Sequence, residues 1–217
     1  MKAEHIEQYK KAVAAVGAKK VKNIYLVACG GSKAFMNPSQ YIFDLETDVP
    51  AAVYSSNEFV HRCPKGLGPD SVVITCSHSG NTPETVRATA LAREKGALTI
   101  ALSNLVDSPL WKAAEYPVHY DWTGCDFADS RYGLIYAVTF GILNALAPCE
   151  KYEKAIATLD LLQACIDRAK ELHSVRANKF GKDHKRDKLI YTMGSGSNYG
   201  SDVDFLRVIW RWNCCTG

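Results

Sequence analysis

The run Asn23-Ile24-Tyr25-Leu26-Val27-Ala28-Cys29 is continuously apolar after its first residue and gives way at once to Gly30-Gly31-Ser32. A strand with one buried face alternates polar and apolar residues, because successive side chains point to opposite sides. Continuous apolarity therefore demands burial on both faces, the condition of a parallel sheet covered by helices on each side. Strand-like runs recur at residues 51–54, 71–76, 98–102 and 117–120. Helix-compatible stretches separate them, and residues 83–95 are the clearest. Pro83 suits a first helical turn, Thr82 an N-cap and Gly96 a stop. Strands alternating with helices predict an α/β fold, a three-layer sandwich with a mostly parallel sheet flanked by helices.

The remaining segments extend this plan. Residues 2–16 set Ile6, Tyr9, Val13 and Val16 at helical spacing, which predicts a leading amphipathic helix ended by Gly17. The segment after Ser32 is helix-compatible, with Pro38 expected to break or kink it. Residues 130–146 are apolar enough for a buried helix. Residues 150–180 read as one long amphipathic helix with Ile156, Leu159, Leu162, Ile166 and Ala169 along one side. Lys188-Leu189-Ile190-Tyr191-Thr192-Met193 then reads as a strand before Gly194-Ser195-Gly196-Ser197. That repeats the opening unit of strand and Gly/Ser turn, so a second copy of the domain is expected to begin near Lys188. The division expected is a first domain over residues 1–180 and the start of a second over 188–217.

Composition narrows the function classes. The 217 residues carry a formal net charge of +3 with both signs interspersed. Lys182, Lys185, Arg186 and Lys188 cluster, but Asp183 and Asp187 interrupt them. The cluster reads as a solvated connector, and no nucleic-acid partner is expected. None of the eight cysteines forms a C-x-x-C pair, so no zinc ribbon is read, and neither a metal site nor a cofactor is expected. No apolar run is long enough for a bilayer and no signal peptide is read, so no membrane partner is expected and the compartment expected is the reducing cytoplasm.

In an open parallel sheet, ligands sit beyond the carboxyl ends of the strands. Two polar loops stand there: Gly30-Gly31-Ser32, and Ser77-His78-Ser79-Gly80-Asn81-Thr82 before Pro83-Glu84-Thr85. The second combines hydroxyls, a glycine and a helix N-terminus, whose free N–H groups and dipole attract an anion. Ser77, Ser79 and Thr82 can donate to phosphate oxygens, and Gly80 permits close backbone approach. A plain capped turn has a similar composition. The hydroxyl count and a second Gly/Ser loop at another strand end favour ligand binding. Neither loop carries the Walker lysine or the G-x-G-x-x-G pattern, which places a nucleotide last among the candidates.

Ser77-x-Ser79-Gly80-x-Thr82-x-Glu84-Thr85 resembles the S-x-S-G-x-T-x-[ED]-T signature of sugar isomerase (SIS) domains, found in glucosamine-6-phosphate synthase and related phosphosugar enzymes. Cys29-Gly30-Gly31-Ser32 is similar to that family's first loop, and Asn104 with Asp107-Ser108-Pro109-Leu110 also fits. The resemblance covers about residues 21–146. Within the family, the loops look most like those of deglycases acting on fructoselysine 6-phosphate and similar ketosamine phosphates. It implies that Ser32, Ser77, Ser79 and Thr82 hold a sugar phosphate, with backbone N–H groups of Gly31 and His78 nearby and Gly80 and Asn81 completing the loop. It also points to Phe127-Ala128-Asp129-Ser130-Arg131, where many relatives have V-A-S-T-K. Ser130 enters the candidate site there, while Asp129 departs from the pattern. A homodimer through the domain's helices is a further implication. His78 is expected to serve through its backbone more than as an acid or base.

The resemblance places the catalytic carboxylate and a ring-opening histidine in a second domain, in a segment like H-x-G-E-[FY]-x-H-G-P. No such segment is present, so no catalytic residue is assigned. Residues 210–216 read one base earlier permit Glu-Met-Glu-Leu-Leu-His, similar to a helix of relatives. The tail is therefore expected to be a frameshift product, with a divergent tail as the alternative. The expected function is phosphosugar binding of the isomerase or deglycase type, retained in the binding half. The alternative is a non-catalytic phosphosugar-sensing module, although about twenty residues before the first strand leave no room for a helix-turn-helix.

Overall fold

The structure, a computed structural model, describes residues 1–198. Its elements in order are α1 (Ala3–Gly17), β1 (Asn23–Ala28), α2 (Gly30–Ala34), α3 (Asn37–Glu46), β2 (Ala51–Ser55), α4 (Ser56–Arg62), β3 (Ser71–Cys76), α5 (Pro83–Glu94), β4 (Leu98–Ser103), α6 (Pro109–Ala113), β5 (Tyr116–His119), α7 (Arg131–Leu146), α8 (Glu150–Thr158) and α9 (Leu162–His184). The strands form one parallel sheet in the order β2-β1-β3-β4-β5. The chain starts at β1, steps outward to β2, and returns across β1 to β3. The strand order thus reverses between β1 and β3, and a crevice opens at the carboxyl ends of such a pair.

Every residue of β3 and β4 is buried. Alternate residues feed two separate cores. Ile24, Leu26, Val72, Ile74, Ile100 and Leu102 meet Tyr9, Phe43, Leu134, Val138 and Ile142 of α1, α3 and α7. Tyr25, Val27 and Val73 meet Phe59, Ala88 and Ala92 of α4 and α5 on the other face. Each fully buried Leu or Ile contributes about 1.5–3 kcal/mol. Pro117 lies in β5 at the sheet edge, where the missing N–H costs no ladder bond.

One expectation holds and two are corrected. Pro38 marks the expected break: α2 ends at Ala34 and α3 begins at Asn37. The proline lies in the first turn of α3, where its fixed φ starts the helix and its missing N–H is not needed. The single helix expected over residues 150–180 is two, α8 and α9, separated by a 3-10 turn at Leu159–Leu161. None of α9 is buried, and Leu172, Val175 and Phe180 are exposed. Helical spacing reveals an apolar side, but burial requires an opposing layer, and α9 packs near its start against the Phe127–Asp129 and Leu159–Leu161 turns. The strand expected over residues 188–193 is irregular, with Leu189, Tyr191 and Met193 exposed. A strand exists through its ladder partners, and among the described residues no strand flanks this segment. The chain from Tyr199 onward, including residues 210–216 and their frameshift reading, lies outside the described residues, as does most of the expected second domain.

Candidate functional site

The loops after β1 and β3 flank the switch point. Gly31 and Ser32 fall in α2, directly after Cys29. Residues 77–82 carry the chain from β3 to α5. Within this loop the Gly80 N–H donates to the Ser77 carbonyl at 3.1 Å, closing a tight turn. Gly80 has φ +63°, and a Cβ there would lie 2.0 Å from Ser108 Oγ and 2.4 Å from Ser108 Cβ. Only glycine accommodates both that dihedral and that contact. The Gly80 carbonyl accepts from the Leu110 N–H at 2.9 Å, which fixes the loop to the start of α6.

The hydroxyls of Ser77 and Thr82 are 2.8 Å apart, so the two ends of the loop meet. Thr82 occupies the N-cap position of α5, but its side chain makes no capping bond. Its hydroxyl turns to Ser77, leaving helix N–H groups of the first turn uncapped by it. The Ser79 hydroxyl accepts from the Asn81 N–H at 3.2 Å, and both residues are exposed at the tip. Thr85 is fully buried below the loop, with its hydroxyl 2.9 Å from Ser56 Oγ and 3.9 Å from Cys29 Sγ. It ties together the carboxyl ends of β1 and β2 and the start of α5.

His78 lies under an aromatic wall. Its Nδ1 is 3.2 Å from the Tyr120 hydroxyl, and its ring centroid is 4.5 Å from that of Trp122. Burial and the Arg131 charge hold its imidazole below the ordinary value, so the ring is neutral at pH 7. Its carbonyl accepts from the Asn104 N–H at 3.2 Å. The Arg131 guanidinium sits 5.1 Å from the Trp122 ring, 5.3 Å from Phe35 and 4.9 Å from Tyr132. Beneath, burial pushes the Cys76 thiol up to about 12, against the opposing influence of the Ser32 hydroxyl, Arg131 and Tyr120. Burial and the neighbouring Cys76 likewise push the Tyr120 phenol upward. The floor is therefore a neutral thiol and a neutral phenol beside one cation.

Ser130 has a different setting from the loop residues. Its hydroxyl donates to the Phe127 carbonyl at 2.7 Å and accepts from the Gly133 N–H at 3.4 Å, capping α7. Asp129, the departure from the family pattern, accepts from the Lys2 N–H at 2.6 Å and bonds His5 Nδ1 at 2.8 Å. Burial raises its pKa, but those two hydrogen bonds outweigh it and hold the carboxyl below the usual range. Asp129 thus anchors α1. The sequence reading did not assign Tyr120 or Trp122 to the site. The last residue of a strand run was the available signal for Tyr120, and none was available for Trp122.

A model of the SIS domain family matches residues 19–121. Fructosamine deglycase FrlB of Bacillus subtilis is 48% identical over 184 residues, covering 84% of this chain and 56% of that protein. Fructoselysine 6-phosphate deglycase of Escherichia coli K12 is 28% identical over 176 residues, covering 81% of this chain and 51% of that protein. A crystal structure assigned as a phosphosugar isomerase from Bacillus subtilis superposes with a TM-score of 0.89 at 43% identity, covering 92% of this chain and 61% of that one. The chain spans about half to three fifths of the length of these relatives.

Proposed function

Since residues 19–121 place this chain in the SIS domain family, we propose that it binds a sugar phosphate, with the phosphate on the loop Ser77–Thr82 and the sugar toward His78, Tyr120 and Arg131. The observation that carries this reading is the Ser77–Thr82 hydroxyl pair at the N-terminus of α5, beside the β1/β3 switch point. Hydroxyls, backbone N–H groups and a helix dipole converge on one anion position there. Ser32 on α2 supplies a further hydroxyl from the other side of the crevice, and Gly31, Ser79, Gly80 and Asn81 shape the backbone around it. The Arg131 guanidinium adds positive charge on the α7 side. Ser130 belongs to this proposal through its place at the start of α7, with its hydroxyl engaged in the cap.

The substrate class proposed is a ketosamine 6-phosphate, supported by the two deglycases among the relatives. Proton movement between C1 and C2 of such a substrate requires a general base. His78 is neutral at pH 7 but carries a hydrogen bond to Tyr120, which favours orientation of the ring over proton shuttling. The same reading carries a homodimer through the domain helices and a reducing compartment, the latter supported by six described cysteines that are all unpaired. Among the described residues no helix is long and apolar enough to cross a membrane.

The test is calorimetric titration of the full chain with fructose 6-phosphate, fructose and inorganic phosphate, together with a deglycase assay on fructoselysine 6-phosphate. Binding of fructose 6-phosphate with none of fructose is the expected result. Equal affinity for fructose, or no binding of either phosphate, overturns the phosphate assignment. Release of lysine in the assay supports the deglycase class. Binding without release favours a sensing or binding role for this chain.

A further inference from the structure

On the face of the sheet opposite α5, α1 crosses the end of β5 and brings Glu4 and His5 against His119, more than a hundred residues away in sequence. His5 is completely buried, His119 half-buried and Glu4 exposed. A neutral imidazole has a single N–H. The His5 ring directs Nδ1 to the Asp129 carboxylate at 2.8 Å, and a carboxylate only accepts, so the proton of His5 is on Nδ1. The His119 ring directs Nε2 to the Asn104 carbonyl at 2.9 Å, so its proton is on Nε2. The nitrogens left over, His5 Nε2 and His119 Nδ1, face each other at 3.2 Å, each with a lone pair. Two lone pairs at that distance repel unless a proton or a metal ion lies between them. Glu4 Oε1 stands 3.7 Å from the same His5 Nε2, and the three ligand atoms all lie within 4.8 Å of one another.

We propose that Glu4, His5 and His119 bind one divalent transition-metal ion, zinc or a similar borderline cation, at the junction of α1 and β5. The spacing fits that ion. Metal–nitrogen bonds of about 2.0–2.1 Å at a tetrahedral angle set two ligand nitrogens about 3.3 Å apart. Two imidazoles and one carboxylate suit zinc, nickel or cobalt rather than magnesium or calcium, which prefer all-oxygen sets. Asp129 supplies the outer hydrogen bond that fixes the His5 tautomer, and the Asn104 carbonyl does the same for His119. The backbone N–H of His119 donates to Gln8 Oε1 at 2.7 Å, which holds β5 against α1 before any ion arrives. Exposed Glu4 gives the ion its entry path and leaves the fourth position to water.

The site also touches the phosphate loop through one residue. Asn104 accepts from His119, donates its side chain to the Tyr120 carbonyl at 2.9 Å, and donates its N–H to the His78 carbonyl. An ion at His119 therefore stiffens the strand end that carries Tyr120.

The experiment is performed on the full chain after treatment with EDTA. Zinc is titrated by calorimetry, and cobalt is added for its visible absorption. Expected are one ion per chain in the micromolar range or tighter, cobalt bands of a nitrogen and oxygen site, and a rise in melting temperature with zinc. His119→Gln should weaken binding by at least about 100-fold, and Asp129→Asn by about 10–100-fold through the outer shell. Glu4→Gln lies on the exposed side of α1 and preserves the fold, so it keeps the test decisive if a histidine variant unfolds. It should weaken zinc binding at least tenfold, whereas His184→Ala should leave it unchanged. Wild-type affinity no tighter than that of Glu4→Gln overturns the proposal. So does a strong thiolate-to-cobalt charge-transfer band, which would assign the ion to cysteines instead.

Discussion

Gly80→Ala tests whether the loop at residues 77–82 is held by packing or only by its hydrogen bonds. Two costs apply. The first is the dihedral: φ +63° is in the left-handed region, where an L side chain loses about 1–2 kcal/mol. The second is contact: the new methyl would stand 2.0 Å from Ser108 Oγ and 2.9 Å from Ser103 Oγ. Both serines are buried, and Ser108 caps α6 by accepting from the Trp111 N–H. Overpacking against such neighbours costs about 1–3 kcal/mol. The sum is about 2–5 kcal/mol, a large share of an ordinary domain's stability of about 5–15 kcal/mol. Gly124 supplies the comparison. It has φ +68° but nothing within 4 Å of its would-be Cβ, so Gly124→Ala carries the dihedral cost alone. In urea unfolding at unchanged m, Gly80→Ala should lower the midpoint by about 1–2 M and Gly124→Ala by less than about 1 M. Adding Ser108→Gly to Gly80→Ala should recover much of the contact cost, since glycine in place of a capping serine costs only a few tenths of a kcal/mol. If Gly80→Ala is no more costly than Gly124→Ala, the loop yields freely and the packing argument is wrong.

Thr82→Ala removes the partner of Ser77 and one hydroxyl from the proposed phosphate position. Affinity for fructose 6-phosphate should fall by roughly 1.5–2 kcal/mol, or more than tenfold. Unchanged affinity in calorimetry takes Thr82 out of the site. His78 is held below its ordinary value of 6.5 by burial and by Arg131. Between that folded value and 6.5 the unfolded chain binds more protons, so stability rises with pH across this window and is lost as the pH falls through it. His78→Asn should flatten the pH dependence of the unfolding free energy in that window, and identical slopes for the two proteins count against a buried neutral imidazole. Native-state alkylation with iodoacetamide should mark the exposed Cys149 and Cys165 and spare Cys76, whose buried thiol is pushed up to about 12. Mass spectrometry showing Cys76 modified as fast as Cys149 would contradict that burial.

The class of fold was legible in the sequence because strands buried on both faces leave a signature that needs no knowledge of their partners. All five strands of the sheet fall where the apolar runs place them, and α1, α5 and α7 fall where helical spacing, Pro83 and the apolar stretch at residues 130–146 place them. The loop at residues 77–82 was legible for the same local reason: glycine, hydroxyls and a proline at a helix start are chemistry written in consecutive residues. The break at Pro38 was legible too, because a proline in a helix-compatible stretch marks a boundary just ahead of itself.

What the sequence could not supply is everything that depends on a second element arriving from elsewhere. An apolar side on α9 and a strand-like run at residues 188–193 describe surfaces ready to be buried. Whether they are buried depends on a neighbour, and among the described residues that neighbour is missing. The strand order β2-β1-β3-β4-β5, which makes the crevice, arises from pairing between distant segments. His5 and His119 are likewise unremarkable in sequence, since neither has a ligand-like spacing to another histidine. Local composition determines which residues can form a strand, a cap or an anion-binding turn, because those interactions close within a few residues. Tertiary structure decides which nitrogen faces which, because that contact exists only once the sheet has set α1 against β5.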